Sequence, residues 1–292
     1  MKKLSLLLLA AGAVVASPAL AAPLPYAGGT YSQDFNGLHV ATTNVGVGTA
    51  ITGRGPHDIN GVYGTVPNQL TNTGVEGWTM SNYGGSSGNT EYRAQNGSQA
   101  GSAGRGVVSF GTTSSSDRAL GTLATSNQIS RFGLTLLNSS NVTYTNFDLD
   151  FTVEHWRQGE DGIVNNVPYF YLVASTLADA TIGSTASPPG FVQFGDFGTP
   201  NPAPVDPLDF FGEIPLDGNL PANQTVVNEF VGGITWSPGT WLVLRWDGKD
   251  VTGQDNGLAI DNLSFSAGVP EPTGAVLAGV AAIVLGAVRR RR

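Results

Sequence analysis

The sequence has no cysteine. Disulfides, thiolate nucleophiles and thiolate metal sites are thereby excluded, and the fold must rest on its core or on clips made by hard cations. Charge is sparse as well, with 12% of the 292 residues Asp, Glu, Lys or Arg. The three histidines, His39, His57 and His155, are scattered without metal-ligand spacing. No long amphipathic helical period and no internal repeat at a fixed period is present, which argues against helical and solenoid architectures. Turn chemistry is abundant instead: 40 glycines and 17 prolines describe short strands joined by many turns.

Strand patterns support an all-β reading. Phe147, Leu149, Phe151 and Val153 share one face of Val142 to Trp156, while Asp148, Asp150, Thr152 and Glu154 share the other. One side is core and the other wet, as an antiparallel sheet allows. Arg131 to Asn138 alternates similarly, and further strands are predicted at Tyr31 to Phe35, Trp78 to Ser81, Val107 to Phe110, Ala119 to Leu123, Tyr169 to Ala174, Trp241 to Trp246 and Leu258 to Ser266. Val40 to Leu70 and Tyr83 to Gly106 are polar and Gly-rich and read as long loops. Pro188 to Pro221 reads as a loop that packs its own aromatics, Phe191, Phe194, Phe197, Phe210 and Phe211. The expected fold is an antiparallel β-sandwich of jelly-roll type over residues 22–268, its first and last strands neighbours.

Both ends look removable. Lys2 and Lys3, an apolar core from Leu4 to Val15 and the small-residue site Ala19-Leu20-Ala21 make a secretory signal peptide over residues 1–21. The Sec machinery and signal peptidase are therefore expected partners. At the other end, residues 269–292 read V-P-E-P, then an uncharged apolar run from Gly274 to Val288, then Arg289, Arg290, Arg291 and Arg292. A helix over 274–288 spans ~22 Å against a hydrocarbon core of ~30 Å, a gap that snorkelling arginines and bilayer thinning close. One transmembrane helix is expected, with the arginines cytoplasmic and everything before Pro270 outside.

This tail resembles the PEP-CTERM sorting signal of Gram-negative bacteria. Pro270, Glu271 and Pro272 match its box, and Arg289 to Arg292 its basic end. The resemblance implies cleavage near the box by an exosortase-type membrane protease in bacteria that make exopolysaccharide. It also implies an inner-membrane intermediate, followed by the cell surface or extracellular matrix.

Of 14 basic residues six lie in the two ends, and of 22 acidic residues one does; the remaining eight and 21 leave the exported part at a net charge of −13. Such a domain has no electrostatic means of gathering nucleic acid. It suits solubility and attraction for cations.

Three blocks resemble a module of bacterial secreted and surface proteins: Ser116 to Gly121, Glu154 to Arg157, and Trp246-Asp247 with Gly257 to Asn262, His155 standing where a glutamine is expected. The last block is also similar to the closing strand of lectin-like jelly rolls and carbohydrate-binding modules. That likeness implies a structural calcium held by Asp261 with Asp34 or Asn36, its remaining oxygens coming from backbone. The alternative is that Asp261 and Asn262 satisfy strand-end backbone groups. Asp247, Asp250 and Asp255 form a second oxygen cluster without EF-hand spacing, which reads as a solvated turn. Gly84 to Gly88 satisfies G-x-S-x-G without the strand and helix that a nucleophile elbow needs. His57-Asp58 reads as a polar loop pair, and Glu154 with Asp148 and Asp150 lacks a partner carboxylate visible in sequence.

For sugar binding, aromatic faces flanked by polar groups are required, and Trp78, Tyr83 and Tyr92 are the candidates, against the alternative of ordinary packing. The expected function is non-catalytic: an exported surface or matrix protein associated with exopolysaccharide or biofilm. A lectin-like carbohydrate-binding module is the alternative, and a polysaccharide hydrolase stands third.

Overall fold

A computed structural model describes residues 21–43, 46–99, 101–160, 165–199 and 214–269. The signal segment up to residue 20, the P-E-P box, the apolar run, the arginine end and the pair Phe210 and Phe211 lie outside the described residues. Among the described residues no helix is long and apolar enough to cross a membrane.

In chain order the principal strands are β1 (Leu24–Tyr26), β2 (Thr30–Gln33), β3 (Val47–Ile51), β4 (His57–Asp58), β5 (Trp78–Gly84), β6 (Thr90–Gln95), β7 (Gly106–Phe110), β8 (Ala119–Leu123), β9 (Ile129–Asn138), β10 (Tyr144–Gln158), β11 (Val167–Ala174), β12 (Val192–Phe197), β13 (Gln224–Trp236), β14 (Trp241–Asp247) and β15 (Gly257–Gly268). One sheet runs β12-β11-β14-β9-β5-β4, with β1 also on β9. The other runs β13-β10-β15-β8-β7-β6-β3, with β2 also on β15. The strand expected first, β2, thus neighbours the last, Gln33 lying opposite Leu263, while the short β1 that precedes it lies on β9 of the other sheet. Pairing is antiparallel except at β1–β9 and β6–β7.

The pairs nest: β8 lies on β15, β9 on β14, β10 on β13 and β11 on β12, alternating between the two sheets. Inner faces follow the sequence alternation. Trp78, Phe132, Leu134, Leu244 and Trp246 from one sheet meet Tyr92, Leu120, Phe147, Leu149, Ile260 and Phe265 from the other in one buried core. This is a β-sandwich, all-β with largely antiparallel sheets.

Five points depart from the sequence reading. The stretch read as a loop from Val40 to Leu70 holds β3 and β4, and that from Tyr83 to Gly106 holds β6, whose Tyr92 and Ala94 are fully buried. The proline-rich segment contains β12, which packs Phe194 and Phe197 against Tyr169. β13 has no clear signal, because as an edge strand it leaves Val226 and Phe230 each 65% exposed and so blurs the alternation. The outer sheet faces are not simply wet: Trp156, Phe110, Val108, Leu123, Ala119 and Ala259 form a second buried cluster, and Glu154 is 1% exposed.

Trp246 is the centre of the main core. Its ring stacks on Phe132 at 5.6 Å and on Trp78 at 5.7 Å and meets Phe151 edge-on at 5.8 Å. Removing it leaves a cavity that three rigid rings cannot close, so Trp246→Ala is expected to cost about 3–5 kcal/mol in a denaturant titration. A loss below about 1 kcal/mol would contradict this packing account.

Candidate ligand-binding cleft

A cleft of about 530 Å³ opens at one end of the sandwich. Its walls are the turn between β8 and β9, residues 123–127, and the turn between β14 and β15, residues 250–255, with Arg105 and Arg157 beside them. The second turn is held by a buried amide network rather than by apolar packing. Asp255 Oδ1 accepts from Val251 N at 3.0 Å and from Asn165 Nδ2 at 2.6 Å. Asn165 Nδ2 also donates to Lys249 O at 3.1 Å, and its Oδ1 accepts from Asn256 N at 2.8 Å. Asn256 Oδ1 in turn accepts from Gly159 N at 2.7 Å. Gly159 is required there, since a Cβ would stand 1.8 Å from Gln254 O.

The charged walls are equally fixed. Arg105 donates through Nε and Nη2 to Glu91 Oε1 at 2.9 and 2.6 Å, and Arg157 Nη1 donates to Gly97 O at 3.1 Å. Burial pushes the Asp255 carboxyl up to about 7, against the bonds from Asn165 and Val251 that favour its charge, and the Asp250 carboxyl within hydrogen-bonding reach raises it further. Donors from arginine and amide stand opposite carboxyl acceptors across a water-accessible space, an arrangement suited to a ligand rich in hydroxyl groups.

A second feature lies on the outer face of the other sheet end. A bulge in β15, where Asn262 has a positive φ of 50°, brings Asp261 opposite Thr152, on the same face as Glu154. Glu154 accepts from Trp156 Nε1 at 2.8 Å and Gln224 Nε2 at 3.0 Å, and Asp261 Oδ2 accepts from Asn262 Nδ2 at 2.9 Å. Burial raises both carboxyls, Glu154 to about 7 and Asp261 to about 8, with Glu154, Asp117 and Asp34 adding repulsion at Asp261.

Of the calcium candidates, Asp261 is buried while Asp34 and Asn36 are exposed. Asp34 Oδ1 accepts from Asn36 N at 3.1 Å, and Asn36 Oδ1 from Arg118 N at 3.1 Å. Among the described residues no group of three or more His, Asp or Glu side chains is placed to hold a metal. A cation here would take most of its ligands from backbone and water.

The aromatic candidates are corrected outright. Trp78 and Tyr92 are fully buried. Trp78 Nε1 donates to Tyr31 Oη at 2.9 Å, and Tyr92 Oη to Asn72 Oδ1 at 2.8 Å. Each sits on the inward register of its strand, so neither presents a face to a sugar. Tyr83 is half-buried, capped by the Arg131 guanidinium 3.8 Å above its ring, and its hydroxyl donates to Gly248 O, bracing the start of the cleft turn. The structure does not bring the three together. His57 and Asp58 are not a catalytic pair either: His57 Nε2 contacts Gly53 O at 3.1 Å, and Asp58 accepts from Asn60 N at 2.9 Å. Ser86 donates to Asn127 Oδ1 at 2.5 Å, tying the turn after β5 to the turn between β8 and β9.

Sequence reasoning singled out Asp250 and Asp255 but grouped them with Asp247. Asp247 belongs elsewhere, bridging Arg131 at 3.0 Å and Arg245 at 2.9 Å on the outer face of the first sheet. Arg105 carried no local signal, and Arg157, legible as part of the block Glu154 to Arg157, carried none for this cleft, because segments remote in sequence bring them there; Arg157 Nη1 donates to Gly97 O.

No family model matches the sequence, and no curated protein matches it. Solved structures with some likeness are the K2 adhesin domain of Lys-gingipain, at 10% identity and a TM-score of 0.32 over 82% of this chain and 98% of that one, and the K3 adhesin domain of Lys-gingipain from Porphyromonas gingivalis, at 13% and 0.30 over 51% and 74%. A third is TmCBM61 in complex with β-1,4-galactotriose, at 7% identity and a TM-score of 0.25 over 52% of this chain and 72% of that one. Overlap this low transfers neither a ligand nor an activity.

The raised carboxyls fix the sign of a pH effect. Unfolded, Glu154 and Asp261 ionise near pH 4; folded, they hold their protons to about 7 and about 8. Their contribution is therefore fully present in acid and is lost as pH rises from about 4 through 8. Asp261→Asn, which cannot ionise, is expected to flatten the fall in melting temperature between pH 5 and pH 8.5; a slope identical to that of the unmodified chain would refute the burial of this carboxyl.

Proposed function

We propose that this chain is an exported, non-catalytic saccharide-binding protein of the cell surface or extracellular matrix, whose ectodomain is a jelly roll. The nested, sheet-alternating order of β8 to β15 supports that winding. The observation that carries the binding assignment is the cleft, where Arg105, Asn127 and Gln254 offer donors and the exposed Asp250 offers acceptors around one space of about 530 Å³, floored by the buried Arg157 and Asp255. Polymer hydroxyls both donate and accept, and such a wall satisfies them without an aromatic platform.

The acid pair favours binding over hydrolysis. Glycosidase carboxyls flank the scissile bond roughly 5 to 9.5 Å apart, whereas Asp250 and Asp255 lie within hydrogen-bonding reach of each other, with no room for a glycosidic bond between them. Delivery follows from the two ends: a signal peptide over residues 1–21, and a tail at 269–292 read by an exosortase-type protease at an inner-membrane intermediate. The producer's own exopolysaccharide is the partner that this route places within reach.

Asp250 and Gln254 are exposed, so replacing them leaves the fold intact. Asp250→Ala is expected to weaken retention on immobilised exopolysaccharide about tenfold, the worth of one or two polar contacts, and Gln254→Ala to weaken it less. Unchanged retention in the double variant overturns the assignment. Release of reducing ends that disappears with Asp250→Ala would instead make the cleft a hydrolase site.

A further inference from the structure

We propose that, in the membrane-tethered form, the cleft is held at the pole of the sandwich farthest from the bilayer and engages polymer away from the cell, the opposite pole resting toward the lipid. This deepens the saccharide-binding reading and rests on it for the identity of what the cleft meets.

Strand β15 sets the geometry. Its first residue, Gly257, lies opposite Arg157 and directly follows the cleft turn, and its last, Gly268, lies opposite Asn146 and leads into Val269 and the tail. Twelve residues of strand separate these points by about 36 Å. The N-terminal entry lies at the tail end too. Tyr26 Oη accepts from Ala267 N at 2.8 Å, and Ser139 N donates to Tyr26 O at 2.9 Å. Asn138 closes the same pole, donating through Nδ2 to Val142 O and Trp236 O, both at 2.9 Å, while its N–H reaches Thr240 O at 2.9 Å. Both routes into and out of the domain therefore share one pole, and the cleft occupies the other.

Charge separates the poles independently. Residues 26–30, 138–143, 232–240 and 267–269, which build the tail pole, contain no Asp, Glu, Lys, Arg or His. In an exported domain with a net charge of −13 this is a gap in the acidic surface. An anionic bilayer repels carboxylates within about a Debye length, ~8 Å at physiological salt, so the pole whose turns carry no charge is the one that lies against it at least cost. Val142 and Val269 there are 38% and 48% exposed. Acids flank it at Asp148, exposed and opposite Ser266, and at Asp179 in the loop after Ala174, whose carboxylate accepts from Thr176 Oγ1 at 2.5 Å. The cleft pole by contrast carries Arg105, Arg157, Lys249, Asp250 and Asp255.

The lack of cysteine makes the test direct. Asn141→Cys at the tail pole and Lys249→Cys at the cleft pole, both exposed positions, each provide a single labelling site in the full chain with its apolar run intact. The labelled chains are inserted in phosphatidylethanolamine–phosphatidylglycerol vesicles bearing a headgroup-borne spin-label quencher. Fluorescence at position 141 should be quenched several-fold more than at position 249. Equal quenching, the reverse order, or no vesicle association overturns the proposal. The readout contains no saccharide, so a chain that passes here and fails to bind any polysaccharide refutes the saccharide reading alone, and the converse refutes only the orientation.

Discussion

The pairing of β10 with β15 is the contact on which the rest of the molecule depends. It runs from Asn146 opposite Gly268 to Arg157 opposite Gly257, one strand in from the β13 edge of the larger sheet. One of its faces supplies Phe147, Leu149, Ile260 and Phe265 to the main core. The other face carries Trp156 and Ala259 and buries Glu154 beside Asp261. Its ends deliver the cleft turn at one pole and the tail at the other. Two register shifts within the pair, at Asp150/Thr152 and His155/Arg157, re-aim these side chains without breaking the sheet.

A chain without disulfides must fasten its loops by other means, and buried arginine serves that need. Arg131 and Arg245 share the Asp247 carboxylate, and Arg131 Nη1 reaches over to Ile182 O at 3.1 Å and Thr185 O at 3.0 Å. The Arg245 guanidinium lies 3.8 Å from the Phe191 ring centre and 4.4 Å from that of Phe170. The long connection between β11 and β12 is thereby pinned to the outer face of the first sheet. Such a cluster specifies one arrangement more than it adds stability, because desolvation offsets much of the attraction; removing one member strands the others, which is where the energetic cost appears.

Much of the fold was legible because alternation survives wherever a strand has two unlike faces. Val142 to Trp156, Arg131 to Asn138 and Trp241 to Trp246 each gave strands within a few residues of those observed. Legibility failed where the physical cause of the signal was absent. β13 lies on an edge and contains Gly232 and Gly233, so its apolar residues do not alternate against a core. β6 is flanked by Gly- and Ser-rich turns that disguise it, which is also why Tyr92 read as exposed. The candidate site was half legible: Asp250 and Asp255 stand close in sequence beside a polar turn, whereas Arg105 and Arg157 arrive only through pairings of distant strands. No local pattern encodes that meeting.

The central claim is that the turn pole, rather than any aromatic face, receives the ligand. Backbone hydrogen-exchange footprinting of the whole ectodomain, with and without the producer's exopolysaccharide, tests it most directly. The account predicts protection concentrated in residues 123–127 and 250–255, with β5 and β6 unchanged. Protection centred instead on the β5–β6 region around Trp78, Tyr83 and Tyr92, or confined to the tail pole at residues 138–143 and 232–240, would contradict it.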